Sequence, residues 1–74
     1  MLWVYHSPIG DMYITPLENG RYGLLYNGTV WESCFTPQDE ANNVYMHSTG
    51  CFDWDQLDGK ILDAPTDLSE WELC

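Results

Sequence analysis

The chain has 74 residues, of which twelve are acidic and only two, Arg21 and Lys60, are basic, so its formal charge is −10. This length supports one hydrophobic core, and we therefore expect a single domain. Such a charge repels nucleic acid phosphates and anionic membranes, which argues against direct binding to DNA, RNA or acidic lipid. The same charge attracts basic protein surfaces.

Aromatic residues are abundant: the chain contains four Trp, five Tyr and two Phe. A disordered acidic chain would be poor in such residues, so we expect a folded acidic domain. Aromatic rings bury a large area per residue, which is one way for a small protein to compensate for its limited core.

The first part of the chain predicts two strands joined by a tight turn. Leu2–His6 alternates in the manner of a strand, and Ser7–Gly10 carries Pro and Gly at turn positions. Asp11–Thr15 is the second predicted strand, ended by Pro16, which lacks a ladder donor. Leu17–Gly20 contains Asn-Gly and is a second predicted turn.

Asn27 and Gly28 form the strongest hairpin signal in the sequence, because a type I′ turn needs positive φ at both central residues. This turn predicts the facing pairs Tyr26–Thr29, Leu24–Trp31 and Tyr22–Ser33. One face of the hairpin would then carry Leu24, Trp31 and Phe35, and the other Leu25, Val30 and Cys34. A type I turn with a bulge at Gly28 is the alternative and would shift this pairing.

A helix is predicted over Pro37–Thr49. Thr36 is a favoured N-cap, Pro37 suits the first helical position, and Gly50 ends the segment. Apolar or small residues recur at helical spacing and would lie on the sheet, namely Ala41, Val44, Tyr45 and Ser48.

The last third of the chain predicts short, irregular elements. Asp53 is the expected N-cap of a short helical turn, in which Phe52 would pack on Leu57. Lys60–Leu62 is either a fifth edge strand or an extended segment. Thr66–Trp71 predicts a capped terminal turn.

Together these elements predict an α+β fold: a four-stranded antiparallel meander, in the order 1-2-3-4, packed on one face by one α-helix. The single domain 1–74 divides into the meander (1–35), the helix (36–50) and an acidic C-terminal segment (51–74). The sequence does not indicate which sheet face is buried.

The segment Tyr5–Ile14, a strand, a Ser-Pro turn and a second strand, resembles the opening of alkylguanine-DNA alkyltransferases. The family's reactive Pro-Cys-His-Arg segment and its helical DNA-binding domain have no counterpart in this chain. The resemblance therefore implies a local strand–turn–strand shape and no activity.

No metal or other cofactor is predicted. The sequence lacks a closely spaced cysteine pair, and Asp53–Gly59 fails the register of a calcium loop because Leu57 stands where an oxygen ligand is needed. The alternative is a zinc-stabilised mini-domain that draws its ligands from the histidines and cysteines, which are His6, Cys34, His47, Cys51 and Cys74.

We predict that the protein is not an enzyme, because the sequence shows no nucleophile elbow, phosphate loop or catalytic cysteine signature. Three cysteines without a CxxC fit a reducing compartment. Met1–Tyr5 lacks the basic and long apolar regions of a signal peptide. We therefore expect a cytoplasmic protein.

The predicted function is a small acidic protein-binding module. Carboxylates interleaved with tryptophans would meet a basic surface, and the candidate contact residues are Asp53, Trp54, Asp55, Asp58, Asp63, Asp67, Glu70, Trp71 and Glu72. In length and charge the chain is similar to anti-CRISPR and other phage or mobile-element inhibitors, some of which act as DNA mimics. The partner would then be a nucleic-acid-binding enzyme. A homo-oligomeric accessory protein is the alternative from another class.

Overall fold

The computed structural model describes residues 2–61 and 64–74. Its elements, in chain order, are β1 (Trp3–Ser7), β2 (Gly10–Pro16), β3 (Tyr22–Tyr26), β4 (Thr29–Cys34), α1 (Pro37–Tyr45), α2 (Phe52–Asp55), a 3₁₀ helix (Leu68–Glu70) and β5 (Glu72–Leu73). The predicted α+β class is confirmed.

The first four strands form the predicted antiparallel meander, but the sheet has five strands, in the order β4-β3-β2-β1-β5. The prediction of four strands was wrong because Glu72 and Leu73 pair with Val4 and Trp3 of β1. A two-residue strand shows no alternating pattern of its own. The amide of Cys74 continues this edge by donating to the Leu2 carbonyl oxygen at 2.7 Å.

The β3–β4 hairpin turns at Asn27 and Gly28, whose φ angles of 53° and 78° are those of a type I′ turn. Tyr26 faces Thr29 and Leu25 faces Val30, so the pairing next to the turn is as predicted. The register then shifts, and Leu24 faces Glu32 in place of Trp31. Trp31 is the extra residue of a β-bulge, which the sequence pattern placed on a regular strand.

This bulge reassigns the two faces of the hairpin. Directly facing residues share a face of the sheet, so Glu32 and Cys34 lie on the same face as Leu24, whereas Val30 stays with Leu25. The predicted grouping of Leu24 with Trp31 and Phe35, and of Cys34 with Leu25, is therefore wrong.

Helix α1 begins as predicted. The Asp39 amide donates to Thr36 Oγ1 at 3.1 Å, and Pro37 occupies the first helical position. Ala41 and Val44 are buried as expected, and Glu40 beside them is buried too.

The helix ends at Tyr45, earlier than the predicted Thr49. Ser48 donates to the Asn43 carbonyl and His47 to the Val44 carbonyl, which is the Schellman pattern. His47 takes the left-handed position of that motif with φ of 55°. Since the helix stops there, Tyr45 and Ser48 are exposed and do not lie on the sheet as predicted.

The link between α1 and α2 is held by one carboxylate. Asp55 accepts hydrogen bonds from the Thr49 amide, the Thr49 hydroxyl (2.7 Å) and the Gly50 amide (2.9 Å). Cys51, and not the predicted Asp53, is the N-cap of α2 and makes no side-chain cap bond. The predicted packing of Phe52 on Leu57 is also wrong, because Phe52 begins the helix and is 72% exposed.

Trp54 is the centre of the core and has no exposed surface. Its Nε1 donates to the Val44 carbonyl oxygen at 2.8 Å, and its ring stacks on His47 with centroids 4.4 Å apart. Tyr5 of β1 meets the same ring edge-on at 5.8 Å. The core cluster is completed by Met12, Ile14, Leu24, Ala41, Val44, Cys51 and Trp71.

The predicted capped turn near the C-terminus is confirmed as the 3₁₀ helix, whose N-cap Asp67 accepts from the Ser69 amide at 2.9 Å. Lys60 lies in a turn and Ile61 in no regular element, so neither belongs to a strand. Leu62, the last residue of the possible edge strand, lies outside the described residues. No helix within 2–61 and 64–74 has the length and apolarity needed to cross a membrane.

The hydrogen bonds of Asp55 predict that its removal lowers the free energy of unfolding much more than removal of the nearby Asp53. Asp55→Ala leaves the amide and hydroxyl of buried Thr49 without their acceptor and is expected to lower the free energy of unfolding by at least about 2 kcal/mol. Asp53→Ala, an exposed acid two residues away, is the matched control and should change it by less than about 0.5 kcal/mol. Urea denaturation measures both, and equal effects would contradict the structural role of Asp55.

Candidate functional site

The two tryptophans of the predicted contact set belong to the core. Trp54 is fully buried, and Trp71 is 5% exposed and lies against Tyr5 with ring centroids 5.6 Å apart. Neither ring can anchor a partner without leaving the core, so the predicted anchor role does not fit the fold.

Several acids of the predicted set have local partners. Asp55 holds the α1–α2 link, Asp67 caps the 3₁₀ helix, and Glu70 accepts from the Thr66 hydroxyl at 2.6 Å. This bond, with that of the Thr66 amide, lowers the pKa of Glu70. Glu72 binds His6 across the β1–β5 edge. These four acids therefore stabilise local structure within the fold.

Of the three remaining acids in the predicted set, two are exposed and one lies outside the described residues. Asp53 and Asp58 are exposed, and Asp58 lies 3.9 Å from His47 Nδ1. Asp63 lies outside the described residues. The exposed acidic side chains in the described part of the C-terminal segment are thus Asp53, Asp58, Asp67, Glu70 and Glu72. Their binding to a partner stays a prediction.

One face of the sheet carries no helix in the described part of the chain, since α1, α2 and the 3₁₀ helix all pack into the core cluster on the other face. A row of facing residues runs across the five strands of this face and consists of Glu72, Val4, Tyr13, Leu25 and Val30. The facing pair His6 and Asp11 lies beside it. We call these seven residues the open sheet face.

The acidic end of the open sheet face is organised by His6. Its Nδ1 lies 2.7 Å from Asp11 Oδ1 and its Nε2 lies 2.9 Å from Glu72 Oε2, so one imidazole bridges β2 and β5. The hydrogen bonds to Asp11 and Glu72 raise the pKa of His6 above its ordinary 6.5. Its protonated form would donate to both carboxylates at once.

The histidine and cysteine set does not assemble a zinc site among residues 2–61 and 64–74. The donor group that lies together there is a different one, formed by Glu32, Cys34 and Glu40. One carboxylate oxygen of each glutamate and the Cys34 sulfur lie within 4.8 Å of one another. Glu32 and Cys34 project from β4, an edge strand, and Glu40 comes from the first turns of α1 above it.

The electrostatics of this three-residue cluster are unfavourable for the protein alone. Glu40 has no exposed surface, and among the described residues no amide, lysine or arginine donates to its carboxylate, whose polar neighbours are the side chains of Glu32 and Cys34. Burial first, and the adjacent Glu32 second, raise the pKa of Glu40 to about 9. Burial and the same two carboxylates raise the pKa of Cys34 to about 12.

Sequence reasoning missed Glu32 and Glu40, although two signals were present. Glu32 and Cys34 are two residues apart on a strand and so share a face. Glu40 stands one residue before Ala41 and four before Val44, where a helical stripe would include it. The bulge at Trp31 decides that Glu32 and Cys34 face the helix, and no local pattern indicates that bulge.

A surface cleft of about 480 Å³ is lined by Trp3, Gln38, Asp67, Leu68 and Ser69. Its one titratable side chain, Asp67, is hydrogen-bonded to the Ser69 amide. The Ser69 hydroxyl also donates to the Asp67 carboxylate, so the lining holds one hydroxyl beside one exposed carboxylate.

No family model matches the sequence, and the comparisons with curated proteins and with solved structures found no match. The resemblance of Tyr5–Ile14 to the alkyltransferases therefore has no further support. Function must be argued from the residues themselves.

The His6 bridge predicts a pH dependence of stability. A raised folded-state pKa means that the bridge contributes fully below pH 6.5 and that this contribution is lost as pH rises through the raised value. His6→Asn should therefore destabilise the protein at about pH 6 and have a smaller effect at about pH 8. Urea midpoints of the two proteins across this range measure the difference.

The backbone amide of Cys74 offers a local readout of the same bridge, because it donates to Leu2 at the β1–β5 edge. Its hydrogen exchange should accelerate in His6→Asn. A stability difference that does not change with pH would contradict a charged bridge.

Proposed function

We propose that this protein is a non-enzymatic binding module that docks on a basic surface of another protein. The observation that carries the proposal is the uncompensated negative charge of its surface. Within residues 2–61 and 64–74, no carboxylate forms an ion pair with a lysine or arginine, and the ion pairs found involve only histidines.

The two basic residues do little to reduce this negative charge. Arg21 is half-buried, donates to the Ser33 hydroxyl and carbonyl at 2.9 and 2.8 Å, and lies over the Phe35 ring. Lys60 is exposed but stands close in sequence to Asp58. A partner rich in Lys and Arg would gain favourable electrostatics over a broad area and associate faster.

The open sheet face supplies the apolar part of such a contact. Val4 is buried, Tyr13 and Leu25 are half-buried and Val30 is 45% exposed. Glu72 ends the row on β5, and Asp11 lies beside the row on β2. Interfaces commonly combine an apolar centre with a polar rim. A basic segment of a partner would fit this arrangement, with its cations near the acidic end and its apolar residues on the central row.

The more specific form of the proposal concerns the partner. A groove that binds nucleic acid is a strongly basic protein surface, and carboxylates spaced over a folded domain can occupy it. We therefore propose an inhibitor that masks such a groove, of the kind found among anti-CRISPR proteins. We place it in the cytoplasm, where its free thiols would stay reduced.

The test is affinity capture from the native cell lysate with three tagged proteins. Wild type is compared with Val30→Lys, on the open sheet face, and with Phe52→Lys, an exposed apolar residue on the helical side that receives the same charge change. We expect a basic polypeptide that is retained at low salt, released at high salt, and lost from Val30→Lys only.

The captured partner should bind DNA or RNA less well when the purified wild-type protein is added. Retention that is insensitive to salt would contradict a charge-driven contact, and equal loss in both variants would exclude the open sheet face as the docking surface. Recovery of the chain alone would favour self-association in its place, and sedimentation at several concentrations would measure it.

A further inference from the structure

The Glu32–Cys34–Glu40 cluster has a property that the proposed binding function does not use. A buried carboxylate normally has a cation or several donors beside it, because burying its charge without them is strongly unfavourable. Glu40 is completely buried, and in the described residues neither of its oxygens receives a hydrogen bond from an amide, lysine or arginine; the Cys34 thiol and the Glu32 carboxyl lie beside it. Glu32 Oε1 is also buried and without a donor.

We propose that Glu32, Cys34 and Glu40 bind one divalent transition-metal ion of the Zn²⁺ type between β4 and α1. The ion would add positive charge at the buried carboxylates, where Arg21 acts on Glu40 without forming an ion pair with it. The ion would also join the edge strand to the helix that covers it. This is a structural role, because the site links two elements of the fold.

The geometry fits an ion of this size. A tetrahedral zinc ion with ligand bonds near 2.0–2.3 Å keeps its donor atoms about 3.5 Å apart. The donors of the cluster lie within 4.8 Å of one another, so rotations of the glutamate side chains would close the remaining distance. Three protein ligands leave a fourth position for water or a further ligand.

The choice of metal follows from the donors. A cysteine thiolate is a soft ligand that favours Zn²⁺ and related transition metals over Mg²⁺ and Ca²⁺, which prefer oxygen alone. Binding of the ion would displace the protons that Cys34 and Glu40 carry at neutral pH and release them to solvent. The two carboxylates and one thiolate that result carry three negative charges, which a divalent ion would largely neutralise.

Asn43 is positioned to act as an outer-shell residue of the proposed metal site, because it is hydrogen-bonded to Cys34. Its Nδ2 donates to the Cys34 sulfur at 3.4 Å, and a metal-bound thiolate would keep this bond. Such outer-shell donors orient the ligand, and their loss typically weakens metal binding about tenfold to a hundredfold. Asn43 lies on α1, so the helix would position both Glu40 and this donor.

The experiment is a titration of the metal-free, reduced 74-residue chain with Co²⁺ and then with Zn²⁺. We expect one Co²⁺ per chain, with the near-ultraviolet absorption of a cobalt–thiolate bond, displaced by Zn²⁺. Cys34→Ser should abolish that absorption, and Glu40→Gln should weaken binding by more than Asn43→Ala, which should lose about tenfold to a hundredfold. Added Zn²⁺ should raise the thermal midpoint of wild type but not that of Cys34→Ser.

The matched controls are Cys74→Ser, an exposed cysteine, and Asp39→Asn, an exposed acid next to Glu40, and both should bind Co²⁺ like wild type. Circular dichroism establishes that each variant is folded, and Glu32→Gln replaces Glu40→Gln if the latter is not. The proposal is overturned if wild type shows no thiolate absorption, or if Cys34→Ser and the glutamate variant bind as wild type does. Lost capture of the basic partner with intact metal binding would contradict the proposed function alone.

Discussion

The fold depends on the burial of Trp54. The indole of Trp54 donates to the Val44 carbonyl near the end of α1 and stacks on His47, where the chain reverses. It also contacts Tyr5 of the sheet edge-on. A short α2 of four residues would not be stable alone, because helix nucleation costs more than one turn returns. Trp54 supplies the tertiary contact that holds this turn in place, and Asp55 fixes the connection that leads into it.

This arrangement separates the two properties that the sequence seemed to combine in the C-terminal segment. The tryptophans of this segment are buried in the core, while its carboxylates cap turns, bridge strands or face solvent. An acidic surface and an aromatic core are therefore consistent with each other: the rings provide the stability that lets a domain of this size tolerate a charge of −10. What remains for a partner is the charge itself and the row of apolar side chains on the open sheet face.

Local chemistry made much of the fold predictable. Asn27-Gly28 set the hairpin turn, and Thr36-Pro37 set the start of α1, because each pair satisfies a specific backbone requirement. The errors lie where tertiary contacts overrule local preference. His47 takes a left-handed conformation that the pattern assigned to Gly50, and its stacking on Trp54 accompanies this choice. The two-residue β5 depends on a partner strand distant in the chain, and the bulge at Trp31 lies in a hairpin whose turn residues alone do not specify it.

The candidate site was less predictable for the same reason. Glu32 and Glu40 meet only because a bulge turns one strand end toward the helix, and a single acid on a helical stripe is easily taken for a solvent-facing residue. The partner-binding prediction rested on composition, and burial reduces it to the carboxylates. A count of residues in a segment does not tell which of them reach the surface.

The pairing of β1 with β5 has a consequence for how the protein folds. Trp3 and Leu73, nearly at opposite ends of the sequence, are neighbours in the sheet. Closing so long a segment costs more chain entropy than closing the hairpins of the meander, and distant pairings of this kind slow folding. The meander and α1 are therefore the parts expected to form early, with α2, the 3₁₀ helix and β5 docking afterwards. Until then the outer edge of β1 presents unpaired backbone groups, the kind of edge on which strands of other chains can add.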